Sequence, residues 1–292
     1  MSDLPGTVAS HAAFADEQRR KRLLHERNVK RRSIAIAATS TAIVMTLVAV
    51  LVPMTPGWYK VRRSFFNGDV FGDTFPGLIS AFVKDIQIFA WCAPCIVLWG
   101  MILAVCRSVR TPALFPLRMF AAAYTDIFRG VPVILTILLI GFGVPGLGLP
   151  RPWNSPYIWG SVALVLAYSS YVAEVFRAGI DSVHESQRAA SRSLGLSSSQ
   201  TMRFVVLPQA VRRVVPPLMN DFISLQKDVA LVSLIGPIEV LRQAGIDKSK
   251  YANFTPYVGA AIIFLLLTIP ETRFVDHLMA RERRRTSGTT VR

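Results

Sequence analysis

The chain has 292 residues, of which 52% are hydrophobic and 17% charged, and its formal net charge is +15. A soluble globular domain averages about 25% charged residues, so this composition excludes an ordinary soluble domain and points to an integral membrane protein. The basic excess sits at the ends of apolar segments, which is the pattern of membrane orientation and not of nucleic-acid binding.

In chain order, a basic arm at 1–32, containing RRKRLLHERNVKRR, leads into an apolar run at 33–53. A spanning helix needs about 20 apolar residues, so this run is long enough to cross. Run and leader are both too long for a secretory signal peptide, and the segment reads as a retained anchor. A polar stretch with Gly57, Asn67, Gly68 and Gly72 follows at about 54–80 and is expected to be an extracytoplasmic linker. From 81 to 276 the chain forms one membrane domain. Its first span is 86–106, followed by the short basic loop RSVRTPALFPLR. A long apolar stretch at 119–147, broken by DIFRG, comes next, then a span at 157–175. A weaker apolar segment lies at 214–236, the last span is 257–274, and a basic tail with RERRR fills 277–292.

Six spans with the N-terminus inside put both termini in the cytoplasm. On that topology the inside segments hold 23 Lys and Arg and the outside segments 8. The bias runs the same way across successive loops, as the positive-inside rule requires. Cys92, Cys95 and Cys106 all lie in one apolar run, where they read as small apolar side chains. His11, His25, His184 and His277 are scattered without metal-ligand spacing, and no metal site is expected.

The loop at about 183–208 falls on the cytoplasmic side and is not featureless. A helix from roughly 183 to 194 ends at Leu194-Gly195, where glycine can take the left-handed conformation that satisfies the last carbonyls. Ser197 and Gln200 then have capping-box spacing for a second helix, expected to run to Leu207 and stop at Pro208. Leu194 and Leu196 flank the corner. Two readings stand: the corner packs on its own membrane helices, or it is a knob for a cytoplasmic partner.

The spacing of Ala189-Ala190-Ser191, Gly195, Val205, Leu207 and Pro208 resembles the EAA loop of bacterial ABC importer permeases, with Ala189 where that loop has glutamate. YTDIFRGVPVILTILLIGFGVP, AYSSYVAEVFRAGIDSV and LPQAVRRVVPPLMNDFISLQKDVALVSLIG extend the resemblance over about residues 75–280, toward the polar amino-acid branch. The resemblance implies an all-α, MetI-like type I permease core of five spans, to which 33–53 adds an extra N-terminal one. It implies that Ala189, Ala190, Ser191, Gly195, Leu196, Val205, Leu207 and Pro208 dock an ATPase subunit. It further implies a pair of ATPases that bind the ATP and Mg, a second permease copy, an extracytoplasmic solute-binding protein, and a place in the bacterial inner membrane.

The segment at 214–236 is unusually polar. At 3.6 residues per turn, Asn220, Asp221, Ser224, Lys227 and Asp228 share one side. A charge at the bilayer centre costs at least about 2.5–3.5 kcal/mol, so these side chains must face protein or water. They either line a solute pathway or hold helices together through buried ion pairs, with Asp126 and Arg129, or Glu174 and Arg177, as the natural partners. Gly130-Val131-Pro132 reads as a hinge, and Arg129 either snorkels to the headgroups or pairs near a dimer axis. No G-x-x-x-x-G-K-[ST] occurs, so an energy source must lie on another chain, and no H-E-x-x-H or G-x-S-x-G marks an enzyme. A self-sufficient secondary transporter or channel is the competing class, but neither an internal repeat nor a filter sequence is found.

Overall fold

A computed structural model describes residues 5–108 and 111–287. The first four residues of the arm, positions 109 and 110, and the last five residues of the tail lie outside the described residues, as do most side chains of the arm and those beyond Arg281. Every regular element among the described residues is helical. The chain divides into two units, Met1–Arg63 and Ser64–Arg292.

The first unit is dominated by α1 (Pro5–Leu51), a continuous helix of 47 residues. No glycine or proline interrupts 7–52, so nothing separates the basic arm from the anchor, and the helix ends just before Pro53. Its stretch Val29–Leu51 has the length and apolarity of a span, and its described side chains are all exposed. A helix apolar on every side is suited to lipid or to a neighbouring helix. A short helix, α2 (Trp58–Phe65), follows.

The second unit opens with α3 (Gly68–Ser108), 41 residues long. Here the structure departs from the linker expected at about 54–80. Asn67 Oδ1 accepts from the backbone N–H groups of Asp69 and Val70 at 3.1 and 3.2 Å, so the helix is capped and begins at Gly68. At 1.5 Å per residue α3 is about 61 Å long, twice the hydrocarbon thickness.

After a turn come α4 (Phe115–Gly130) and α5 (Val133–Gly143). The chain bends by 105° at the break between them. Pro132 carries no N–H and pushes its predecessor out of the helical region, and Val131 is accordingly extended at φ −94°, ψ 128°. DIFRG itself stays helical in the last turns of α4, so the interruption falls just after it, at the expected hinge.

The remaining helices are α6 (Pro156–Asp181), α7 (Glu185–Ser193), α8 (Ser198–Thr201), α9 (Leu207–Asp228), α10 (Val240–Tyr251) and α11 (Thr255–Ser287). A π-helical segment, Met202–Val206, joins α8 to α9, and a 3-10 segment, Val229–Ile235, continues α9. By length and composition, four helices could cross a membrane: Val29–Leu51, Trp58–Ser108, Pro156–Asp181 and Thr255–Arg281. There are up to six crossings if each of the two bent helix pairs counts as one.

The hub is α6, with α3, α4, α5 and α9 packed around it. Ile96, Leu164, Val172, Leu225, Val229 and Val232 are fully buried there. Buried hydroxyls bond their own helices, as Ser161 does to the Tyr157 carbonyl at 2.7 Å and Ser170 to that of Ala167 at 2.6 Å, so few polar groups are left unpaired where water is scarce. Cys92 is buried with its Sγ 3.6 Å from the Ser161 carbonyl, and all three cysteines are free.

Membrane helices approach closely where residues are small. At Gly179 on α6, an added Cβ would lie 2.2 Å from Val214 Cγ1 and 3.3 Å from the Ala210 carbonyl of α9. Replacing Gly179 by leucine must separate the two helices. Overpacking of this kind costs roughly 1–3 kcal/mol, and the expected result is a lower melting temperature and a smaller folded yield in detergent.

Candidate functional site

The corner at 183–208 is built from backbone rules. Helix α7 ends in a Schellman arrangement: Leu196 N–H donates to the Ser191 carbonyl at 3.2 Å and Gly195 N–H to that of Arg192 at 2.9 Å. Gly195 has φ +87°, the left-handed conformation the motif requires. Across the corner the capping box is complete. Gln200 N–H donates to Ser197 Oγ at 3.2 Å, and Ser197 N–H donates to Gln200 Oε1 at 2.8 Å. Ser197→Ala removes one half of this box and should cost about 1 kcal/mol locally. Faster amide hydrogen exchange confined to α8 would report it.

Ser191 is the pin of the corner. It is only 5% exposed, and its hydroxyl bridges the Arg188 carbonyl at 2.8 Å and Thr201 Oγ1 at 3.0 Å. A small apolar cluster of Ile180, Val183, Val206 and Ala210 seats the corner on the ends of α6 and α9. Arg213 reinforces the seat, donating to Ser182 Oγ at 2.9 Å and to the Ser182 carbonyl. Arg188 donates to the Ile180 carbonyl. The inner side of the corner therefore packs on its own helices, and its tip does not. Leu194 is 84% exposed, Ala189 and Ala190 are exposed beside it, and an added Cβ at Gly195 would meet nothing within 4 Å. Leu196 is half-buried.

The stop expected at Pro208 is not there. Pro208 lies in the first turn of α9, where a missing N–H is tolerated, and the chain stays helical through it. The π segment makes this possible by shifting the ladder, so that Leu207 N–H reaches the Met202 carbonyl. Gln209 Nε2 takes up the Val205 carbonyl at 3.1 Å. Leu207 packs against the cluster of the seat, and Val205 is half-buried.

On α9 the polar stripe is real, but its partners are not those expected. Asn220, Ser224 and Lys227 are exposed, whereas Leu218, Leu225 and Gln226 on the other side are buried. Asp221 is half-buried with one carboxylate oxygen lacking a donor. Asp228 Oδ2 accepts from Tyr168 Oη of α6 at 2.8 Å. The ion pairs offered as partners lie elsewhere. Glu174 is held by three arginines, with Arg107 Nη1 at 3.0 Å, Arg129 Nη1 at 3.8 Å and Arg177 beside it. This knot ties the ends of α3, α4 and α6. Arg129, half-exposed, joins it rather than pointing only to headgroups. Asp126 is exposed and makes no ion pair with Arg129. Sequence reasoning missed Arg107 because its partner lies 67 positions away and no local spacing links them.

The fold and the site together define a multi-helix membrane protein that displays a capped elbow and carries a polar face on one of its helices. The comparisons narrow that class. Residues 96–284 match the family described as binding-protein-dependent transport system inner membrane component, and this chain belongs to that family. It is 35% identical over 184 residues to the "Probable glutamine ABC transporter permease protein GlnM" of Bacillus subtilis, covering 62% of this chain and 84% of that one. It is 34% identical over 200 residues to the "Probable amino-acid permease protein YxeN" of the same organism, covering 67% and 86%. Among solved structures, an amino acid ABC transporter described as "with histidines" superposes with a TM-score of 0.64 at 33% identity, covering 70% of this chain and 94% of that one. The chain is thus a multi-pass membrane permease.

Proposed function

We propose that this chain is the membrane-spanning subunit of an ATP-driven importer for a polar amino acid in the bacterial inner membrane, with both termini cytoplasmic. It pairs with a second permease copy, takes solute from an extracytoplasmic binding protein, and is driven by a pair of ATPases that hold the ATP and Mg. The observation that carries this reading is the corner: an apolar residue displayed at the tip of a structure that is otherwise rigidly capped and pinned. A chain without a phosphate-binding loop of its own needs such a contact with an ATPase. ATP binding closes the ATPases, the two corners approach, and the pathway changes sides; hydrolysis resets it. Each step requires that a partner bind one state better than the other.

Relatives named for glutamine and other amino acids support the solute class. The mixed charges of Asp221, Lys227 and Asp228 suit a zwitterion, whose ammonium and carboxylate each need a counter-charge. The test is uptake of radiolabelled amino acids into proteoliposomes holding the permease and its ATPase, with the binding protein added outside. Uptake that depends on ATP and on both partners supports the reading. Equal uptake with the ATPase omitted overturns it.

A further inference from the structure

Asp85 and Glu239 lie outside both parts of the site described above. Asp85 sits on α3 and is 2% exposed; Glu239 is the N-cap of α10 and is 0% exposed. Their carboxyl groups converge on the same first turn of α10. Asp85 Oδ2 accepts from Val240 N–H at 3.2 Å, and Glu239 accepts from Leu241 and Arg242 N–H at 2.8 and 2.7 Å. Asp85 Oδ1 is buried and has no donor.

No lysine, arginine or histidine among the described residues bonds either carboxyl group. On the neighbouring elements, Lys84 and Arg242 are exposed, Asp247 is engaged by Gln243, and Tyr157 of α6 bonds the backbone of Ile238. Two ionised carboxylates in contact in a water-poor interior, with no cation beside them, repel each other strongly. One proton between them removes the repulsion and gives the orphaned oxygen its partner.

We propose that Asp85 and Glu239 form a proton-binding site that fastens α3 to the start of α10. The position of the proton follows from the donors. Glu239 receives two short backbone hydrogen bonds, which favour the ionised form, whereas Asp85 receives one longer one. The proton therefore resides on Asp85 Oδ1 and is donated to Glu239. The tie lies just beyond Gly236, at φ +121°, where the α9 rod ends and the chain bends by 53° into α10. It therefore fixes the end of the bundle opposite the corner.

An amide can replace a protonated acid but not an ionised one. Asp85→Asn keeps a donor toward Glu239, and Glu239→Gln turns an NH2 group toward backbone N–H groups that need an acceptor. The experiment uses the full chain in lipid nanodiscs at neutral pH, read by infrared spectroscopy and thermal melting. The expected spectrum contains a deuterium-sensitive protonated-carboxyl band that is lost in Asp85→Asn. Asp85→Asn should keep the wild-type melting temperature, and Glu239→Gln should lower it. An unchanged band in Asp85→Asn overturns the proposal. So does a melting temperature that rises with sodium in the wild type and falls equally in both variants, because a metal cation would then be the bridge.

Discussion

Leu194→Glu is expected to abolish ATP-driven uptake while leaving the permease folded and inserted. Leu194 is 84% exposed at the tip of the corner, so its replacement disturbs nothing inside the chain. A leucine that becomes buried on docking contributes roughly 1.5–3 kcal/mol, or about a tenfold to hundredfold effect on affinity. A carboxylate in the same place also carries its desolvation cost. Gly195→Trp should have the same outcome by a different route. At φ +87° any side chain costs about 1–2 kcal/mol, and the indole projects into space that is empty in this subunit. Co-purification of the ATPase and uptake are the two measurements. Normal uptake by both variants would remove the corner from the mechanism.

The second large effect is expected at Lys227. This ammonium is exposed on a bilayer helix, at a cost of at least about 2.5–3.5 kcal/mol if lipid faced it. Removing it in Lys227→Ala should leave stability unchanged or raise it, yet uptake should fall by about tenfold or more, the scale of one lost charge-assisted hydrogen bond at 1.5–3 kcal/mol. Opposite signs for stability and transport are what a pathway residue produces. If the stripe were glue, both would fall together. Asp228→Ala serves as the contrast, since it strips the Tyr168 hydroxyl of its acceptor and should cost about 1–3 kcal/mol in stability as well.

What was legible in the chain followed a local rule. Gly195, Ser197 and Gln200 announce the corner because Schellman and capping-box geometry depend on residues only a few positions apart. Pro132 announces the bend for the same reason. Pro208 misled because a proline marks a missing N–H but not what compensates for it. Here a π segment shifts the ladder so that the helix continues through Pro208, and it has no sequence signature of its own. The start of α3 was signalled by Asn67, whose capping role was masked by the polar, glycine-rich stretch around it. The arrival of Arg107 and Arg129 at Glu174, and the pair of Asp85 with Glu239, were beyond reach. Asp85 meets the backbone of Val240 across 155 positions, a proximity that only the packing of α3 against α10 creates.

The helical continuity through Pro208 has a mechanical consequence. From Ser198 to Ile235 the chain runs as a single rod with no flexible loop in it, carrying the corner at one end and Lys227 some 29 residues along. At about 1.5 Å per residue, the two are joined by roughly 40 Å of stiff backbone. A thrust applied at the tip is therefore delivered to the polar face as a tilt of the shaft, with the π turn and the Pro216-Pro217 pair inside α9 as the places where it can flex.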